Sequence, residues 1–553
     1  MSLRQPPNQN PIRRERHFGT RVLRCFADRP LSLYAMLEGA VRRRQHHEAL
    51  VCGAQRLSWH AFGDRVTRMA YALAQKGVGA GDRVCLLLGN RIEFVEAAFA
   101  VTRLGAIFVP ISVREQTPGI AHIVNDCGAV LLIHEAELRD RLPAGDATPT
   151  LRECVVIGDA MDESGPARSN LYPDVDADFA DAAVAVHEDD TAAILYTSGT
   201  TGKPKGAMLS HLNIVHSAMH YESAFELSEN DRLLAAVPLS HVSGLIALMA
   251  TAVRCAGTLV IMPAFKAGWF LELAARERMS YTLIVPTMYK LCLIQRDCTQ
   301  FDLTNWRIGA YGGAPMPEST INECATIWPA LSLVNVYGAT ETTSPAAIMP
   351  PGQGILRKDS VGLAVACGEI VIMDDDGREV PAGCAGELWI KGPMVSKGYW
   401  ENPEATAQGF VEGYWRSGDI GSIDEQGFIA VFDRKKDMIN RGGFKIYSSE
   451  VENVLSQYPG ILEAAVFGQP CPVLGERVHA HVVLREQSAA GDATSDVSVE
   501  AITAFCKERL TDYQVPESMT VSNTPLPRNA NGKVLKRELR ETVQPGNREI
   551  AKS

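Results

Sequence analysis

The sequence predicts an α/β protein: a large N-terminal domain of layered βαβ sheets with a β-rich subdomain, then a small α+β domain at the C-terminal end. Three observations carry this. Strand-like and helix-like segments alternate from Leu33 to Arg254 in units of about 25 to 30 residues, the length of a βαβ unit. The texture changes after Gly398, where Tyr399-Trp400, Tyr414-Trp415 and glycine–aspartate pairs suggest short antiparallel strands and turns. A charged run, Asp433-Arg434-Lys435-Lys436-Asp437, then separates the last 120 or so residues, dividing the chain at 1–433 and 434–553.

The elements follow in order. Trp59 to Lys76 has helical spacing of apolar positions, and Gly77-Val78-Gly79 closes it. Arg83 to Leu88 reads as a buried strand, Glu93 to Leu104 as a helix and Ile107 to Ile111 as the next strand. A helix near Ile120 to Asn125 and a strand from Ala129 to Ile133 complete the repeat, and Gly158 to Asp190 reads as a surface connection. Gly418-Asp419 and Asp424 to Gly427 read as turns in the later region. In the small domain, Ser449 to Gln457 reads as a helix with a serine cap. Ala464 to Phe467 and Val478 to Leu484 read as strands, and Val499 to Leu510 as a helix.

Composition bounds the function. The 553 residues are 46% hydrophobic and 22% charged, a folded protein large enough to bury its core without staples. Lys+Arg number 54 against 65 Asp+Glu, a net charge of −11, which argues against a nucleic-acid binder or a polybasic membrane binder while leaving room for a local basic pocket. The 13 cysteines are odd in number and form no CxxC pair, so mostly buried free thiols in a reducing compartment are expected. The first twenty residues lack the apolar stretch of a secretory signal, and the most apolar run, Leu245 to Val253, is too short to span a bilayer. The expectation is a cytoplasmic protein without a transmembrane segment.

The strongest local signal is Tyr196-Thr-Ser-Gly-Thr-Thr-Gly-Lys-Pro-Lys-Gly206, placed between an apolar strand (Ala192 to Leu195) and a helix starting near Leu212. Glycines admit close backbone N–H groups, hydroxyls donate and lysines supply charge, so the loop suits a polyphosphate. It is not a Walker A loop, because the GxxxxGK[ST] spacing is absent.

That loop resembles the signature of the adenylate-forming superfamily of acyl-CoA synthetases, luciferases and peptide-synthetase adenylation domains. Further motifs follow in the superfamily's order: Pro238 to Gly244, Tyr311 to Pro317, Val336 to Thr342, Tyr414 to Asp419, Asp433 to Asp437, Arg441 to Lys445 and Pro527 to Lys533. The resemblance implies an AMP-forming acid:CoA ligase with ATP, Mg²⁺ and coenzyme A. Within it, Thr197, Ser198, Gly199, Thr200, Thr201, Gly202, Lys203 and Lys205 would hold the β- and γ-phosphates. Gly312, Gly313 and Ala314 would lie along adenine and the acyl pocket, where missing side chains let a ring or chain approach. In Tyr337-Gly338-Ala339-Thr340-Glu341, the Thr340 hydroxyl would touch the α-phosphate and Glu341 would anchor Mg²⁺. Asp419 would take the ribose hydroxyls with Arg434 beside it, and His241 would gate the acyl carboxylate. Lys533 would neutralise charge developing at the α-phosphate. The small domain would be mobile about a hinge at Lys436, bringing the turn with Gly443 and Lys445 to the site when CoA attacks.

Each residue also has a plainer reading: a core or helix-end histidine at His241, a solvated loop carboxylate at Glu341, a turn aspartate at Asp419, an exposed lysine at Lys533. Two departures stand out. Cys471 occupies a position where relatives often carry Asp, which would alter a turn but not the chemistry, and Trp306, just before the strand leading to Gly312, is bulkier than in many relatives and could narrow something nearby. The substrate acid reads as hydrophobic, with a medium- or long-chain fatty acid leading and an aryl acid of benzoate or cinnamate type as the alternative. A free-standing ligase loading a carrier protein is the rival in function, a non-catalytic binding relative is disfavoured by the intact Lys533, Glu341 and Asp419, and a homodimer is left open.

Overall fold

The computed structural model describes residues 10–158, 171–175, 179, 183–197, 204–295, 298–485, 498–528 and 534–543. By its contacts the chain forms two compact units. The first comprises 1–371, 389–417 and 424–429; the second gathers 372–388, 418–423 and 430–553.

The first unit contains two large sheets. One has six strands in the order Lys205–Ser210, Thr191–Thr197, Ile107–Pro110, Arg83–Leu87, Leu131–Glu135, Glu153–Ile157. Its strands run parallel except for the antiparallel pair Thr191–Thr197 and Lys205–Ser210. The other has nine strands, with a parallel centre of Ser332–Tyr337, Ile308–Gly312, Tyr281–Ile284, Arg232–Ala235, Thr258–Ile261 and Glu48–Cys52. The predicted alternation is therefore present. Helices Trp59–Gln75, Ile92–Arg103 and Thr117–Cys127 occupy the three predicted places, each within a few residues of the expected ends. Gly77 has φ +78°, the left-handed backbone that a closing glycine supplies cheaply. The helix Ile92–Arg103 is buried on every face. Its Glu96, fully buried, is met by Arg65 and by the hydroxyl of Tyr172.

The last contact corrects one expectation. The connection between Gly158 and Asp190 is not wholly superficial: Leu171 is buried, and the Arg65 guanidinium lies 4.5 Å from the centroid of the Tyr172 ring.

The second unit carries an antiparallel sheet of Phe444–Ile446, Ile439–Arg441, Gly475–Leu484 and Ile461–Cys471, with Ser518–Ser522 added in parallel. Helices Ser448–Ser456 and Val499–Lys507 cover one face through Val451, Leu455, Ile502 and Cys506. Leu526 and Leu539 cover the other, against Ala465 and Phe467.

Two smaller expectations are also corrected, and Trp306 finds its place in the core. No serine caps the helix at 448–456; the Asp433 carboxylate accepts from the Ser448 backbone N–H, and the Ser449 hydroxyl donates to the Phe432 carbonyl. A carboxylate at a helix start satisfies an orphan N–H and faces the positive end of the dipole, so it serves the Ser448 N–H in a cap's place. Gly418-Asp419 is not a turn but lies inside the ten-residue strand Tyr414–Ile423. Trp306 is a core residue: it is 1% exposed, stacked on Tyr289 and edge-on to Phe270, with its indole N–H donating to the Ile308 carbonyl at 3.0 Å.

Cys471 does shape a turn. Its sulfur accepts from the Leu474 N–H at 3.5 Å and from Arg477 Nε at 3.3 Å, and those donors hold the thiol below its ordinary pKa. Of the thirteen cysteines, all free, Cys154 and Cys384 are exposed and Cys52 is half-buried; the rest are buried. No helix among the described residues is long and apolar enough to cross a membrane.

Candidate active site

The phosphate-loop motif begins and ends on paired strands. Thr197 stands opposite Lys205, and Tyr196 opposite Gly206. A side chain at 206 would place its Cβ 2.6 Å from the Ile194 methyl, so only glycine allows this crossing. Ser198, Gly199, Thr200, Thr201, Gly202 and Lys203 lie outside the described residues. The outgoing strand is joined to a distant segment: Met208 N–H donates to the Gly398 carbonyl at 3.0 Å and Trp400 N–H to the Gly206 carbonyl at 2.7 Å. That register places Tyr399 beside Lys205, whose ammonium lies 5.4 Å from the ring centroid.

The Tyr337–Ser344 loop leaves the end of the strand Ser332–Tyr337. It is wound by its own hydroxyls and amides. Ala339 N–H donates to Thr342 Oγ1 at 2.9 Å, Thr343 N–H to the Thr340 carbonyl at 2.9 Å and Ser344 N–H to the Ala339 carbonyl at 3.2 Å. Thr343 and Ser344 take φ +50° and +27°, a conformation costly for residues with a Cβ and held only by surrounding structure. Glu341 is 9% exposed, and its Oε1 accepts from the Tyr399 hydroxyl at 2.9 Å. Burial and the Glu341 charge both push the Tyr399 phenol up, so it stays a donor. Thr340 is half-buried.

Behind the loop, the Tyr221 hydroxyl is 2.8 Å from Ser344 Oγ. Tyr221 lies one turn past Ser217 on the helix His211–Ala224, and helical side chains lean toward the N-terminus, so both hydroxyls share one face. Ser217 and Thr343 are fully buried, and their hydroxyls have no partner among the described residues.

Gly312 and Gly313 differ. A Cβ on Gly312 would lie 2.4 Å from the Val336 carbonyl, so its lack of a side chain is required by the neighbouring strand. Gly313 has φ +77° with open space around it, and Ala314 is exposed beside it. His241 begins the turn into the π-helix Ser243–Ala250. Its Nδ1 accepts from Ser243 N–H at 3.3 Å, and burial holds the imidazole below its ordinary pKa and so neutral. Gly244 makes that turn possible, because a Cβ there would meet the Pro238 carbonyl at 2.3 Å.

In the second unit, Arg434 Nε lies 2.7 Å from Asp419 Oδ1, and Asp419 is 5% exposed. Lys435 N–H donates to the Gly418 carbonyl at 2.8 Å while its ammonium pairs with Asp375 at 2.7 Å. Lys436 is exposed on the turn that follows. Gly443, at φ +92° in open space, is exposed on the turn after Arg441, and Lys445 is exposed in the strand Phe444–Ile446, paired opposite Asn440. Lys533 lies outside the described residues; the bridge between Arg528 and Val534 stands on either side of it. The structure thus brings Lys205, Glu341 and Tyr399 together in one unit and Asp419 and Arg434 in the other. Tyr399 was not singled out from sequence as a site residue; its signal is an aromatic pair directly after Gly398.

Comparison with known proteins identifies the family. A family model described as "AMP-binding enzyme" matches residues 37–400, and one described as "AMP-binding enzyme C-terminal domain" matches residues 450–533. A feruloyl-CoA synthase of Amycolatopsis sp is 34% identical over 90% of this chain and 96% of its own length. The long-chain-fatty-acid–CoA ligase FadD13 of Mycobacterium tuberculosis is 33% identical over 88% of this chain and 93% of its own. Among solved structures, the anthranilate CoA ligase AuaEII in complex with anthranoyl-AMP superposes with a TM-score of 0.84 at 26% identity, covering 93% of this chain and 98% of that one. ATP-bound MatB from Rhodopseudomonas palustris gives a TM-score of 0.82 at 29% identity over 93% of this chain and 99% of that one. The chain belongs to the AMP-binding enzyme family, within the adenylate-forming superfamily, as an AMP-forming acid:CoA ligase.

Proposed function

We propose that this ligase activates an aryl acid carrying a hydrogen-bonding ring substituent. The acid's carboxylate attacks the α-phosphorus of ATP and pyrophosphate leaves; the CoA thiolate then attacks the acyl carbon and AMP leaves. Both steps depend on positioning and charge stabilisation rather than on a protein nucleophile. Thr340 contacts the α-phosphate, Asp419 with Arg434 holds the ribose, and Lys533 neutralises the developing charge. A hard carboxylate oxygen such as that of Glu341 fits Mg²⁺, which when bound offsets phosphate charge. His241, kept neutral, borders the acid without adding a cation. The small domain, 434–553, turns about Lys436 between the steps, and the location is cytoplasmic, in keeping with the buried free thiols.

The observation that carries the substrate class is the buried Tyr221–Ser344 hydroxyl pair, with Ser217 one helical turn before Tyr221 and Thr343 next to Ser344; the hydroxyls of Ser217 and Thr343 have no partner among the described residues. Unpaired buried hydroxyls cost about 1–3 kcal/mol each, and a substrate phenol or ether oxygen would satisfy them. The medium- or long-chain fatty acid remains the second reading, favoured by the all-apolar, fully buried Leu245–Ala250 segment. A substrate panel, read as AMP release with and without CoA, decides. Hydroxylated or methoxylated cinnamates and benzoates should exceed their unsubstituted parents in kcat/KM, by about tenfold for one buried hydrogen bond. Fatty acids above all aryl acids would reverse the assignment, and release independent of CoA but dependent on a carrier protein would change the acceptor.

A further inference from the structure

We propose that Tyr399 is a positioning residue, whose hydroxyl fixes the Glu341 carboxylate so that its second oxygen faces the cation on the nucleotide. This rests on the reading of Glu341 as the Mg²⁺ carboxylate. A glutamate side chain ends in a freely rotating carboxylate, and a buried one with no fixed donor would present either oxygen at a range of angles. Here the Tyr399 hydroxyl donates to Oε1 at 2.9 Å and occupies that oxygen. The donor is uncharged, so it orients the carboxylate without cancelling the charge a divalent cation needs, as a lysine or arginine would.

The phenol is itself held firmly. Tyr399 N–H donates to Thr406 Oγ1 at 2.9 Å, and its backbone bridges Ala207 on the phosphate-loop strand. The ring packs edge-on against Phe410, with centroids 5.6 Å apart. Gly398 permits this close fold, since a Cβ there would meet the Thr406 methyl at 2.5 Å. The same ring carries the Lys205 ammonium over its face at 5.4 Å. One side chain therefore touches both the outgoing lysine of the phosphate loop and the carboxylate 58 positions earlier in the chain. Partners behind metal ligands set ligand orientation, and their loss typically costs about 10–100-fold in metal affinity or activity.

Tyr399→Phe removes only the hydroxyl and keeps the ring, the bridge and the packing. The full-length enzyme is compared with the variant in two measurements: the Mg²⁺ concentration giving half-maximal adenylation, and calorimetric binding of ATP with and without Mg²⁺. The expected result is a rise of about 10-fold or more in the half-saturating Mg²⁺. ATP binding without metal, and the thermal midpoint, should stay unchanged, and activity should recover at high Mg²⁺. A half-saturating Mg²⁺ unchanged in Tyr399→Phe, beside a lost Mg²⁺ response in Glu341→Gln, overturns the positioning role alone. A normal Mg²⁺ response in Glu341→Gln overturns the metal reading and the positioning role with it. An equal loss of metal-free ATP binding in Tyr399→Phe also overturns it, because the hydroxyl would then serve the nucleotide or the loop rather than the carboxylate.

Discussion

Acidification to about pH 5 should destabilise the first unit through the histidines of the helix His211–Ala224. His211 Nδ1 accepts from the Leu33 N–H at 3.2 Å, and His216 Nε2 accepts from the Phe26 N–H at 3.2 Å while its Nδ1–H donates to the Leu212 carbonyl at 3.0 Å. His220 Nε2 faces the Cys367 N–H at 3.4 Å, and Phe26 lies against both of the latter rings. Burial lowers His211 from 6.5 to about 4 and His216 from 6.5 to about 3, and puts His220 well below its ordinary value. Folded-state values lowered in this way mean that the unfolded chain binds more protons below about pH 6.5, so stability falls as pH falls. At about pH 5, His211 and His216 each cost about 2 kcal/mol, about 4 kcal/mol together, and His220 adds in the same direction. Glu15, held down to about 2 by Arg29, stays ionised throughout that window, whereas burial raises Glu96, Glu115 and Glu222, whose contributions grow as pH falls and oppose the histidines, so the difference between the parent and a histidine variant is the quantity to read. Urea midpoints taken from about pH 7 to pH 5 give the slope, and His216→Gln should reduce it by about 1.4 kcal/mol per pH unit below pH 6. Parallel slopes in the two proteins would refute the reasoning, whatever the variant's absolute stability. His479, lowered to about 4, adds a similar term to the second unit's own transition.

The alternation of strands and helices was legible because it is local. Apolar spacing over Trp59–Gln75 and an unbroken apolar strand at Arg83–Leu87 need no knowledge of neighbours. Motifs that share a short stretch were equally legible, which is why the segments holding Glu341, Asp419 and Arg434 stood out before any contact was known. What escaped reading depends on contacts between distant positions. Asp433 replaces the expected serine cap from fifteen residues away, and Tyr399 reaches Glu341 only because its segment pairs with Lys205–Ser210. Gly312 was read as a surface for a ligand, whereas its first constraint is the Val336 carbonyl on the adjacent strand. The π-helix over Ser243–Ala250 has no sequence periodicity of its own, and its apolar residues read as any buried run.

Three further outcomes test the site and its frame. Gly312→Ala should lower stability by about 3 kcal/mol, because the new methyl meets a backbone carbonyl that cannot turn aside; a thermal midpoint equal to the parent's would show that the sheet yields there. Lys533→Ala should suppress adenylation far more than thioester formation from preformed acyl-AMP, measured as pyrophosphate release and as CoA consumption, and equal losses in both would remove it from the first step. Lys436→Pro should separate the halves in the opposite sense. Proline fixes φ near −65° and constrains the residue before it, so the exposed turn at 435–437 loses the freedom a hinge requires. Pyrophosphate release should persist while thioester production from added acyl-AMP and CoA falls by on the order of a hundredfold, with Lys436→Ala active in both. Proline at 436 removes none of the N–H donors that fold this turn, those of Arg434, Asp437 and Met438, and Lys436→Ala separates loss of backbone freedom from loss of the lysine side chain. Normal thioester synthesis by Lys436→Pro would mean that rotation at this residue plays no part in passing from the first step to the second.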